Sequence, residues 1–565
     1  MKLEDLSKGE LIDLVKSYQA KKKYGLVWDE DSSKENFDFD PRLSLPLFEE
    51  TKSKRISDPE TEAINYLVEG DNFHALKVLQ YTHTNSIDII YIDPPYNTGN
   101  RDFKYNDTFV LKEDTYRHSK WLNFMHKRLV IAKELMKDDA LIFISIDDNE
   151  LAPLQVMADE IFGESNRLGP LIWFYEGVND NNAFVKSTHE YILVYEKVHG
   201  SSLSKNVRDP NVPLAETIEN SVVKNGPKNP KSKVILPAGF PCVLEKGKIE
   251  KSRVTSLNVS SDYQIANFKL VKPVEVESGW SSKTILLNFI ANNFEPVLDS
   301  KGQLTKFVIN QSGNISYIKE RDQSYVLSVL RGLGTVAGAG AELKDKGIDF
   351  DYPKPVGLIK YLLEFHSNKN GVVLDFFAGS GTTGEAVLKL NSEDGGDRRF
   401  ILITNNENKI CDEVTYPRLK KVISGYKNIN SKQVSGLGGS LNFFRTKFIK
   451  KSLNSDEMKI RIMDNCVDLL CFREGIFDVL KSNSDSYRIF KHNSRILGVY
   501  NSFDNTDLKK LRSELSKYES DHSIKVYVFT FDNSGLNPND FLGWKDIELE
   551  PIPQKLLEII GELNA

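Results

Sequence analysis

Short apolar runs alternate with helical patterns in two separated parts of the chain, residues 65–198 and 352–403. In the first part, the runs Ile87–Ile92 and Leu141–Ile146 are each followed at once by an aspartate. Short apolar runs with polar residues at their carboxyl ends are typical of buried strands in a parallel sheet. Alternation of such strands with helices indicates an α/β layer. We therefore expect the two parts to complete one mostly parallel sheet.

The residues between these two parts lack the α/β rhythm and are richer in Asn, Ser, Pro and Lys. Residues 201–330 hold 17 Lys and Arg against 12 Asp and Glu, whereas the whole chain holds 74 against 80, a net charge of −6. This balance argues against indiscriminate coating of nucleic acid but allows a local basic groove. The pattern predicts five segments: an N-terminal helix and arm (1–60), a first α/β half (61–200), an inserted domain (201–340), a second α/β half (341–450) and a C-terminal α+β domain (451–565).

Length and composition limit the possible classes of protein. The 565 residues exceed what one hydrophobic core usually serves, so several domains are expected. No apolar run approaches the roughly eighteen residues of a membrane helix, and the amino terminus lacks an apolar segment, so we expect no membrane association and a cytoplasmic location. The four cysteines are too scattered for a disulfide framework or a zinc site, and Asp147 and Asp148 lack clustered histidines, so no metal site is predicted.

The first candidate for chemistry is Asp93-Pro94-Pro95-Tyr96 (the Asp93 loop), which directly follows the run Ile87–Ile92. Two prolines stiffen the turn and leave the Pro94 carbonyl without a strand partner. The Asp93 carboxylate and this carbonyl are two acceptors beside an aromatic ring, an arrangement that suits a planar amine with two N–H donors. An ordinary turn is the alternative interpretation of these four residues.

The second candidate is a glycine-rich loop after the run 371–374, Asp375-Phe376-Phe377-Ala378-Gly379-Ser380-Gly381-Thr382 (the glycine loop). It opens a helix for which a threonine is the expected cap, and its glycines let the backbone approach a ligand closely. The loop lacks the Gly-Lys-Ser/Thr ending of nucleotide-phosphate loops and the third glycine of dinucleotide loops. A cofactor without phosphates is therefore favoured, and S-adenosylmethionine is such a molecule.

Taken together, the two loops resemble those of the amino-methylating DNA methyltransferases. The Asp93 loop precedes the glycine loop by 282 residues, with the basic region between them, an order similar to the permuted β-class arrangement. Two further elements are similar to that family's cofactor-side and base-pocket elements: Asp351-Tyr352-Pro353-Lys354-Pro355 and His189-Glu190-Tyr191-Ile192-Leu193. Other motifs resemble the modification subunit of type III restriction–modification systems: Asn97-Thr98-Gly99, Ser145-Ile146-Asp147-Asp148, Asn405-Asn406-Glu407, Val414–Arg418 and Leu441–Thr446. The resemblance covers about residues 10–450.

This resemblance implies a Rossmann-like methyltransferase fold, circularly permuted, with a mostly parallel seven-stranded sheet, an inserted target-recognition domain and a C-terminal α+β domain. It implies a site-specific adenine-N6 methyltransferase that uses S-adenosylmethionine and flips its target base out of double-stranded DNA. The implied catalytic residues are Asp93, Pro94, Pro95 and Tyr96. The implied cofactor-binding residues are Lys354, Pro355 and the glycine loop, Asp375 to Thr382.

One position departs from the family pattern. Many relatives have Glu at the end of the second cofactor-side strand, where it accepts from the ribose hydroxyls, but this chain has Thr404. Asn405, Asn406 or Glu407 could take that role, and Glu407 ranks first because a carboxylate can accept from two hydroxyls. A solvated loop residue is the alternative interpretation of Glu407.

The resemblance also implies a homodimer and a separate helicase–endonuclease (restriction) subunit as partner. Alternatives left open are a solitary DNA methyltransferase without a nuclease partner, methylation of cytosine at N4, a binding-only specificity subunit and an RNA methyltransferase. Phosphate contacts are expected from basic side chains of the inserted domain: Lys205, Lys224, Lys228, Lys231, Lys233, Lys246, Lys248, Lys251 and Arg253.

Overall fold

A computed structural model describes most of residues 44–551, together with Trp28 and Glu35. The residues outside the description are 1–27, 29–34, 36–43, 59–60, 62, 101, 107, 176–186, 201–216, 228, 301, 303, 321–325, 451–456, 458–459, 462, 464, 484–485, 503–506, 530–535, 537–540 and 552–565. Most of the predicted N-terminal helix and arm, and also Lys205 and Lys228, lie outside the described residues.

The chain forms two compact units, a larger unit of residues 1–204 and 327–565 and a smaller unit of residues 205–326. The smaller unit falls within the inserted domain expected at 201–340. Up to residue 196, the larger unit contains the strands β1 (Ser44–Glu50), β2 (Ile64–Glu69), β3 (Ile87–Ile92), β4 (Lys104–Tyr105), β5 (Thr108–Phe109), β6 (Met136–Ile146), β7 (Arg167–Phe174) and β8 (His189–Glu196), and the helices α1 (Asn72–Thr82), α2 (Arg117–Leu135) and α3 (Leu151–Phe162).

The smaller unit is built mainly of short antiparallel strands. They are β9 (Thr217–Ser221), β10 (Ser232–Leu236), β11 (Lys246–Ile249), β12 (Asn258–Val259), β13 (Tyr263–Ala266), β14 (Lys269–Leu270), β15 (Val274–Ser278), β16 (Val297–Leu298), β17 (Leu304–Ile309) and β18 (Ile315–Glu320), with helix α4 (Lys283–Ala291). The strands form sheets in the orders β10-β15-β12, β11-β13-β14 and β16-β17-β18-β9. Buried residues alternate with more exposed ones along β15 and β17, so one face of each of their two sheets packs on a core that includes Phe240, Phe289 and Phe307.

The remainder of the larger unit begins near the end of the smaller one. Its strands are β19 (Val329–Leu330), β20 (Val372–Asp375), β21 (Arg399–Thr404), β22 (Tyr426–Lys427), β23 (Gln433–Val434), β24 (Ser440–Lys450), β25 (Asp478–Asn483), β26 (Tyr487–His492), β27 (Arg495–Tyr500), β28 (Ser523–Val528) and β29 (Ile547–Pro551). Its helices are α5 (Val336–Asp345), α6 (Val356–Leu363), α7 (Thr382–Asp394), α8 (Tyr416–Ser424), α9 (Val467–Glu474) and α10 (Leu508–Leu515).

The two α/β parts form one main sheet, as the hydrophobic pattern predicted. Its strand order is β1-β24-β2-β21-β20-β3-β6-β8-β7-β19, and every pairing from β24 to β6 is parallel. The described sheet therefore has ten strands rather than the seven expected. The additional strands are β1 and β24 at one edge and β19 at the other, and they come from chain outside the α/β rhythm.

Burial explains why the central strands are continuous apolar runs. Every residue of β3 is buried, and β20 and most of β21 are buried as well, because helices cover both faces of this part of the sheet. Helix α1 begins at a conventional cap, where the Asp71 carboxylate accepts hydrogen bonds from the N–H groups of Phe73 and His74.

Residues 451–565 were predicted as a separate domain, and within the described residues Tyr487 to Ile547 do contribute a hydrophobic cluster of their own, whereas α9 packs into the core of the larger unit. Phe472 of α9 packs against Tyr66 of β2 and Phe48 of β1, with ring centroids 4.2 and 5.0 Å apart. Strands β25 to β29 form a five-stranded sheet of their own. The apolar side chains of β1 and β2 need cover from outside the main sheet, and α9 supplies it.

None of the helices in the described part of the chain combines the length and apolar character required to cross a membrane.

Candidate active site

The Asp93 loop and the glycine loop lie side by side at one edge of the main sheet. They follow β3 and β20, which are adjacent and parallel, with Ile89 paired to Val373. A cavity of about 850 Å³ opens at this edge. Of the predicted residues, six line it: Asp93, Pro95, Phe376, Phe377, Gly379 and Glu407.

Four polar side chains form a compact cluster around Tyr96 (the Tyr96 cluster: Asp93, Tyr96, Glu190 and Lys354). The Tyr96 hydroxyl lies 2.9 Å from Asp93 Oδ1 and 3.0 Å from Glu190 Oε2. Lys354 Nζ lies 2.7 Å from that hydroxyl and within 3.1 Å of both carboxylates. The hydroxyl therefore accepts from the ammonium and can donate its one proton to either carboxylate.

The charges of the Tyr96 cluster fix its protonation. Burial alone would lower the pKa of the Lys354 ammonium, but the carboxylates of Asp93 and Glu190 outweigh it and raise that pKa above its ordinary value. Burial, followed by the same two negative charges, raises the pKa of Tyr96 well above its ordinary value. The cluster thus holds two carboxylates, one ammonium and a neutral phenol.

The Asp93 loop is held from behind by helices α2 and α3. Trp121 donates from Nε1 to the Pro95 carbonyl at 2.7 Å. Pro94 is buried, and its carbonyl accepts no hydrogen bond from the residues that the structure describes, in agreement with the free acceptor expected there. The next residue, Asn97, is completely buried with a φ of 56°, and its amide donates to Glu150 Oε1.

Glu150 lies just before α3 and is fully buried. It also contacts His118, whose Nδ1 lies 2.7 Å from Oε1. Burial raises the pKa of Glu150 despite the hydrogen bonds from Asn97 and His118. Two buried acceptors, Glu150 Oε2 and Asn97 Oδ1, have no hydrogen-bond partner among the described residues. A proton on the Glu150 carboxyl would relieve this shortage of donors.

The glycine loop turns sharply between β20 and α7. Gly379 and Gly381 have φ values of 47° and 80°, which side chains rarely allow, so glycine is required there. Helix α7 begins at Thr382, but the capping residue is Gly381, not the predicted threonine. The Asp375 carboxylate instead accepts from the Phe377 N–H at 2.9 Å and the Thr383 hydroxyl at 2.5 Å. Burial raises the pKa of Asp375 to about 7.

Arg418 of α8 braces the glycine loop. Its guanidinium donates to the Ser380 carbonyl and hydroxyl at 3.2 and 2.9 Å and to the Thr382 hydroxyl at 2.8 Å. It also contacts the buried Glu385 at 2.8 Å. Burial alone would raise the pKa of Glu385, but Arg418 and Lys346 lower it to about 2, so this ion pair stays charged.

The loop after β21 forms another wall of the cavity. Thr404, Asn405 and Glu407 line it, whereas Asn406 donates to the Asp412 carboxylate at 2.8 Å. Glu407 also forms an ion pair with Lys104. Among the three residues considered as substitutes for the missing glutamate, Asn405 and Glu407 are therefore the two that face the cavity.

The remaining predicted residues support the site from outside the cavity lining: Pro94, Tyr96, Lys354, Pro355, Asp375, Ala378, Ser380, Gly381 and Thr382. Lys354 joins the two loops, because its ammonium contacts the Tyr96 cluster and its carbonyl accepts from the Thr382 hydroxyl at 3.2 Å. Pro355 is the residue that caps the amino end of α6, with an extended ψ of 138°.

Sequence reasoning missed two sets of residues at this edge. Glu190 was part of a quoted motif but was not predicted to contact Tyr96. Asn72 donates to the Phe376 carbonyl at 3.0 Å and accepts from the buried Arg128 at 2.5 Å, so α1 and α2 also fix the glycine loop. The position of Glu190 at the start of β8, beside the carboxyl end of β6, was a usable signal. Asn72 and Arg128 gave none.

The sequence is similar to those of several known proteins. A protein-family model described as DNA methylase matches residues 87–415, more than half of the chain. The Mod subunit of the type III restriction-modification enzyme StyLTI from Salmonella typhimurium strain LT2 is 32% identical over 66% of this chain and 59% of its own. The type II methyltransferase M.KpnI of Klebsiella pneumoniae is 30% identical over 65% of this chain and 85% of its own.

A solved structure of the M1.HpyAVI–SAM complex is similar over 63% of this chain and 96% of its own, with 14% sequence identity and a TM-score of 0.28. The chain spans between 59% and 64% of the length of the type III modification subunits that it matches first. The family model and the sequence relatives confirm the resemblance to type III modification subunits that the motifs predicted. Because the family model covers more than half of the sequence, the chain belongs to the DNA methylase family.

Proposed function

We propose that this chain is a site-specific DNA methyltransferase that transfers a methyl group from S-adenosylmethionine to the N6 amine of a flipped adenine. The observation that carries the proposal is that the Asp93 loop and the glycine loop end neighbouring parallel strands and line one cavity. Similarity to a type III Mod subunit and to a type II methyltransferase supports the same activity.

The side chains around the cavity suit S-adenosylmethionine. Phe377 offers an apolar surface for an adenine ring, and the Glu407 carboxylate can accept from ribose hydroxyls. The backbone at Gly379 can approach a ligand closely because no side chain intervenes. When bound, this cofactor would supply the electrophilic methyl carbon. Lys354 is assigned to holding the Tyr96 cluster, since its ammonium is already engaged there.

The Asp93 carboxylate and the Pro94 carbonyl are suited to accept the two N–H groups of the target amine. Accepting both draws the nitrogen lone pair out of conjugation with the ring and frees it for attack. The nitrogen would then accept the methyl group that the cofactor supplies, and its N–H proton, made acidic by methylation, would pass to the Asp93 carboxylate and then to water. The net negative charge of the Tyr96 cluster favours the cationic nitrogen formed during transfer.

The smaller unit, residues 205–326, is proposed to recognise the DNA sequence. Its exposed lysines and arginine suit phosphate contacts, and these include Lys224, Lys231, Lys246, Lys251 and Arg253. The Asp93 loop comes before the glycine loop in the chain, with this unit between them, which supports the circularly permuted arrangement.

A homodimer and a separate restriction subunit remain part of the proposal, supported by the similarity to Mod subunits. A solitary methyltransferase is the second candidate, and the match to M.KpnI over 85% of that protein favours it. Purification with and without a coexpressed restriction subunit separates the two, because only the first predicts a stable complex.

Incorporation of labelled methyl groups into unmethylated duplex DNA tests the activity. The wild-type protein is expected to label DNA, and Asp93→Ala is expected to abolish labelling while keeping the fold, because the substitution removes an acceptor at an open position. Equal labelling by the two proteins would refute the proposed role of the Asp93 loop. Mass analysis of the digested product should give the N6-methylated deoxyadenosine, and the N4-methylated deoxycytidine would instead assign the enzyme to cytosine.

A further inference from the structure

The smaller unit contains two Asn-Phe turns with the same backbone conformation. Asn267 and Phe268 have φ values of 51° and 58°, and Asn293 and Phe294 have values of 53° and 67°. Asparagine tolerates the left-handed region, but a bulky aromatic residue there is a conformational outlier. Each phenylalanine therefore needs a compensating reason to occupy its position.

Packing supplies that reason for Phe294. Its ring lies 5.8 Å from the ring of Phe240 and 5.9 Å from that of Phe289, both buried in the core of the smaller unit. Phe294 also covers Gly239, where an added Cβ would meet its ring at 3.1 Å. The strained turn thus places an aromatic ring in the hydrophobic core.

No such packing accounts for Phe268. Its side chain is 54% exposed, and it makes no ring contact with any residue in the described part of the chain. It occupies the second position of the two-residue turn between β13 and β14, where Ala266 pairs with Lys269. Glycine is the usual residue at this position of such turns. The residues that the structure describes therefore give no structural reason for a phenylalanine at this position.

The turn is nevertheless held firmly. The N–H of Phe268 donates to the Glu245 carbonyl at 3.0 Å, and its own carbonyl accepts from the Cys242 N–H at 2.8 Å. The segment before β11 therefore fixes the backbone on both sides of the ring. A ring fixed in this way at a hairpin tip loses little conformational freedom when it binds a partner.

The surroundings of Phe268 are basic. Residues 241–273 contain six Lys or Arg against three Asp or Glu. Lys246 pairs with Ala266 across the sheet, and Lys269 follows the ring in sequence, and both are exposed. Neither has an ion-pair partner among the residues that the structure describes, whereas Lys248 is paired with Asp262 at 2.8 Å. Free ammonium groups beside an exposed ring match the phosphates and the stacked bases of a nucleic acid.

We propose that Phe268 is a DNA-contacting wedge that stacks against, or inserts between, base pairs of duplex DNA, with Lys246 and Lys269 contacting the flanking phosphates. This inference rests on the proposed function for its choice of duplex DNA as the partner. Insertion of an apolar side chain would help to unstack the duplex in which a base is extruded.

Binding of a fluorescein-labelled DNA duplex to the full chain, measured by fluorescence anisotropy, tests this role. Phe268→Ala is expected to raise the Kd about tenfold, because the stacking contact is lost. Phe268→Trp is expected to keep the Kd near the wild-type value, because it retains an aromatic ring. Phe268→Gly should raise the Kd similarly while leaving the Tm unchanged or higher, because glycine relieves the left-handed turn. A merely structural ring would instead lower the Tm when removed.

Two matched variants from the same unit serve as controls. Ile235→Ala removes an apolar side chain that is 61% exposed and should leave the Kd unchanged. Phe294→Ala should lower the Tm, because that ring packs in the core. A wild-type Kd for Phe268→Ala, or binding of single strands in preference to the duplex by the wild-type protein, would overturn the proposal.

Methylation assays on the same proteins separate this inference from the proposed activity. Phe268→Ala is expected to raise the KM for DNA and leave the KM for S-adenosylmethionine unchanged. If neither the wild type nor any variant methylates DNA but duplex binding depends on Phe268, the proposed DNA contact is supported and the proposed methyltransferase activity is refuted. If the wild type and Phe268→Ala methylate with the same KM for DNA, only the proposed role of Phe268 is refuted.

Discussion

The two ends of strands β3 and β20 each carry a buried cluster of charges, and the clusters differ in how completely they are satisfied. At the amino end, the Asp88 carboxylate accepts from Lys137 Nζ at 2.9 Å, from the Asn368 amide at 2.9 Å and from the Val372 N–H at 2.8 Å. Asp88 is 2% exposed and has a donor on each oxygen. This cluster is closed to a ligand.

The Tyr96 cluster at the carboxyl end is open by contrast. It holds two carboxylates for one ammonium, and Asp93 is 26% exposed and lines the cavity. Buried charges that are fully paired hold a structure together, whereas spare acceptors at a cavity are available to a ligand. The balance of donors and acceptors thus distinguishes the binding edge of the sheet from the structural one.

The same contrast bears on metal binding. Asp88, Asp139 and His366 are close enough for three ligand atoms to share one ion. However, Lys137, Asn368 and Val372 already use the Asp88 carboxylate, and His366 Nε2 lies 3.0 Å from the Asp139 carbonyl. A cation would have to displace an ammonium group to bind. We therefore interpret Asp88 and its partners as a structural cluster that links β3, β6 and β20.

The largest expected effect comes from removing charge at the open end. Asp93→Asn keeps the size of the side chain but weakens acceptance from the target amine, so kcat should fall about 10²- to 10³-fold. The Tm should stay within a few degrees of the wild-type value, because Asp93 is partly exposed. Single-turnover methylation and calorimetry measure the two quantities. A Tm loss that accounts for the lost activity would contradict the contrast between the two ends.

Asp375 provides a further test of this comparison. It is buried at the carboxyl end of β20 and forms no ion pair with the residues that the structure describes. Its pKa of about 7 exceeds the ordinary value of 3.8, so the folded state retains a proton that the unfolded state has lost between these values. Stability should therefore fall as pH rises from about 4 to 7, by at most about 4 kcal/mol. Asp375→Asn should remove this slope in urea titrations at several pH values. If the unfolding free energy of the variant depends on pH as steeply as that of the wild type, other groups cause the dependence.

Asp88 should show the opposite pH dependence. Burial alone would raise its pKa, but the Val372 N–H, Lys137 and Asn368 together lower it below the ordinary value. Its stabilising contribution is present above the ordinary pKa and is lost as pH falls through the lowered one. At neutral pH, Asp88→Asn should cost about 2 kcal/mol of unfolding free energy, because Lys137 loses its partner. Its kcat per folded molecule should match the wild type.

The smallest effect is expected behind the Asp93 loop. Glu150→Gln should retain kcat within about twofold, because its amide can donate to the unpaired Asn97 oxygen. Glu150→Ala should lower kcat about tenfold by releasing Asn97 and the loop. Comparison of the two variants at several pH values measures this difference. If Glu150→Gln is as impaired as Glu150→Ala, the site requires a charged Glu150, and the inference that this carboxyl is neutral is wrong.

The parts of the site that follow strands were predictable, because a short apolar run ending in polar residues specifies a strand and its functional end. Strand β3 has the predicted bounds, and both loops are adjacent as expected. Edge strands were not predictable, since β1 and β24 pair over nearly 400 residues without a distinctive pattern. Glu190 and Arg128 were missed for a related reason: their partners, Lys354 and Asn72, are distant in sequence, and pairing of that kind leaves no periodicity.

The spacing of paired strands also determines when the sheet can close during synthesis. Asp88 and Val372, joined by a hydrogen bond between β3 and β20, are 284 residues apart. Strand β2 is flanked on both sides by strands from residues 399–450. The ribosome therefore releases β2 and β3 long before their neighbours exist, with apolar faces and unpaired backbone edges. Production of this protein should depend on chaperones that shield the nascent amino-terminal half until the chain beyond residue 450 emerges.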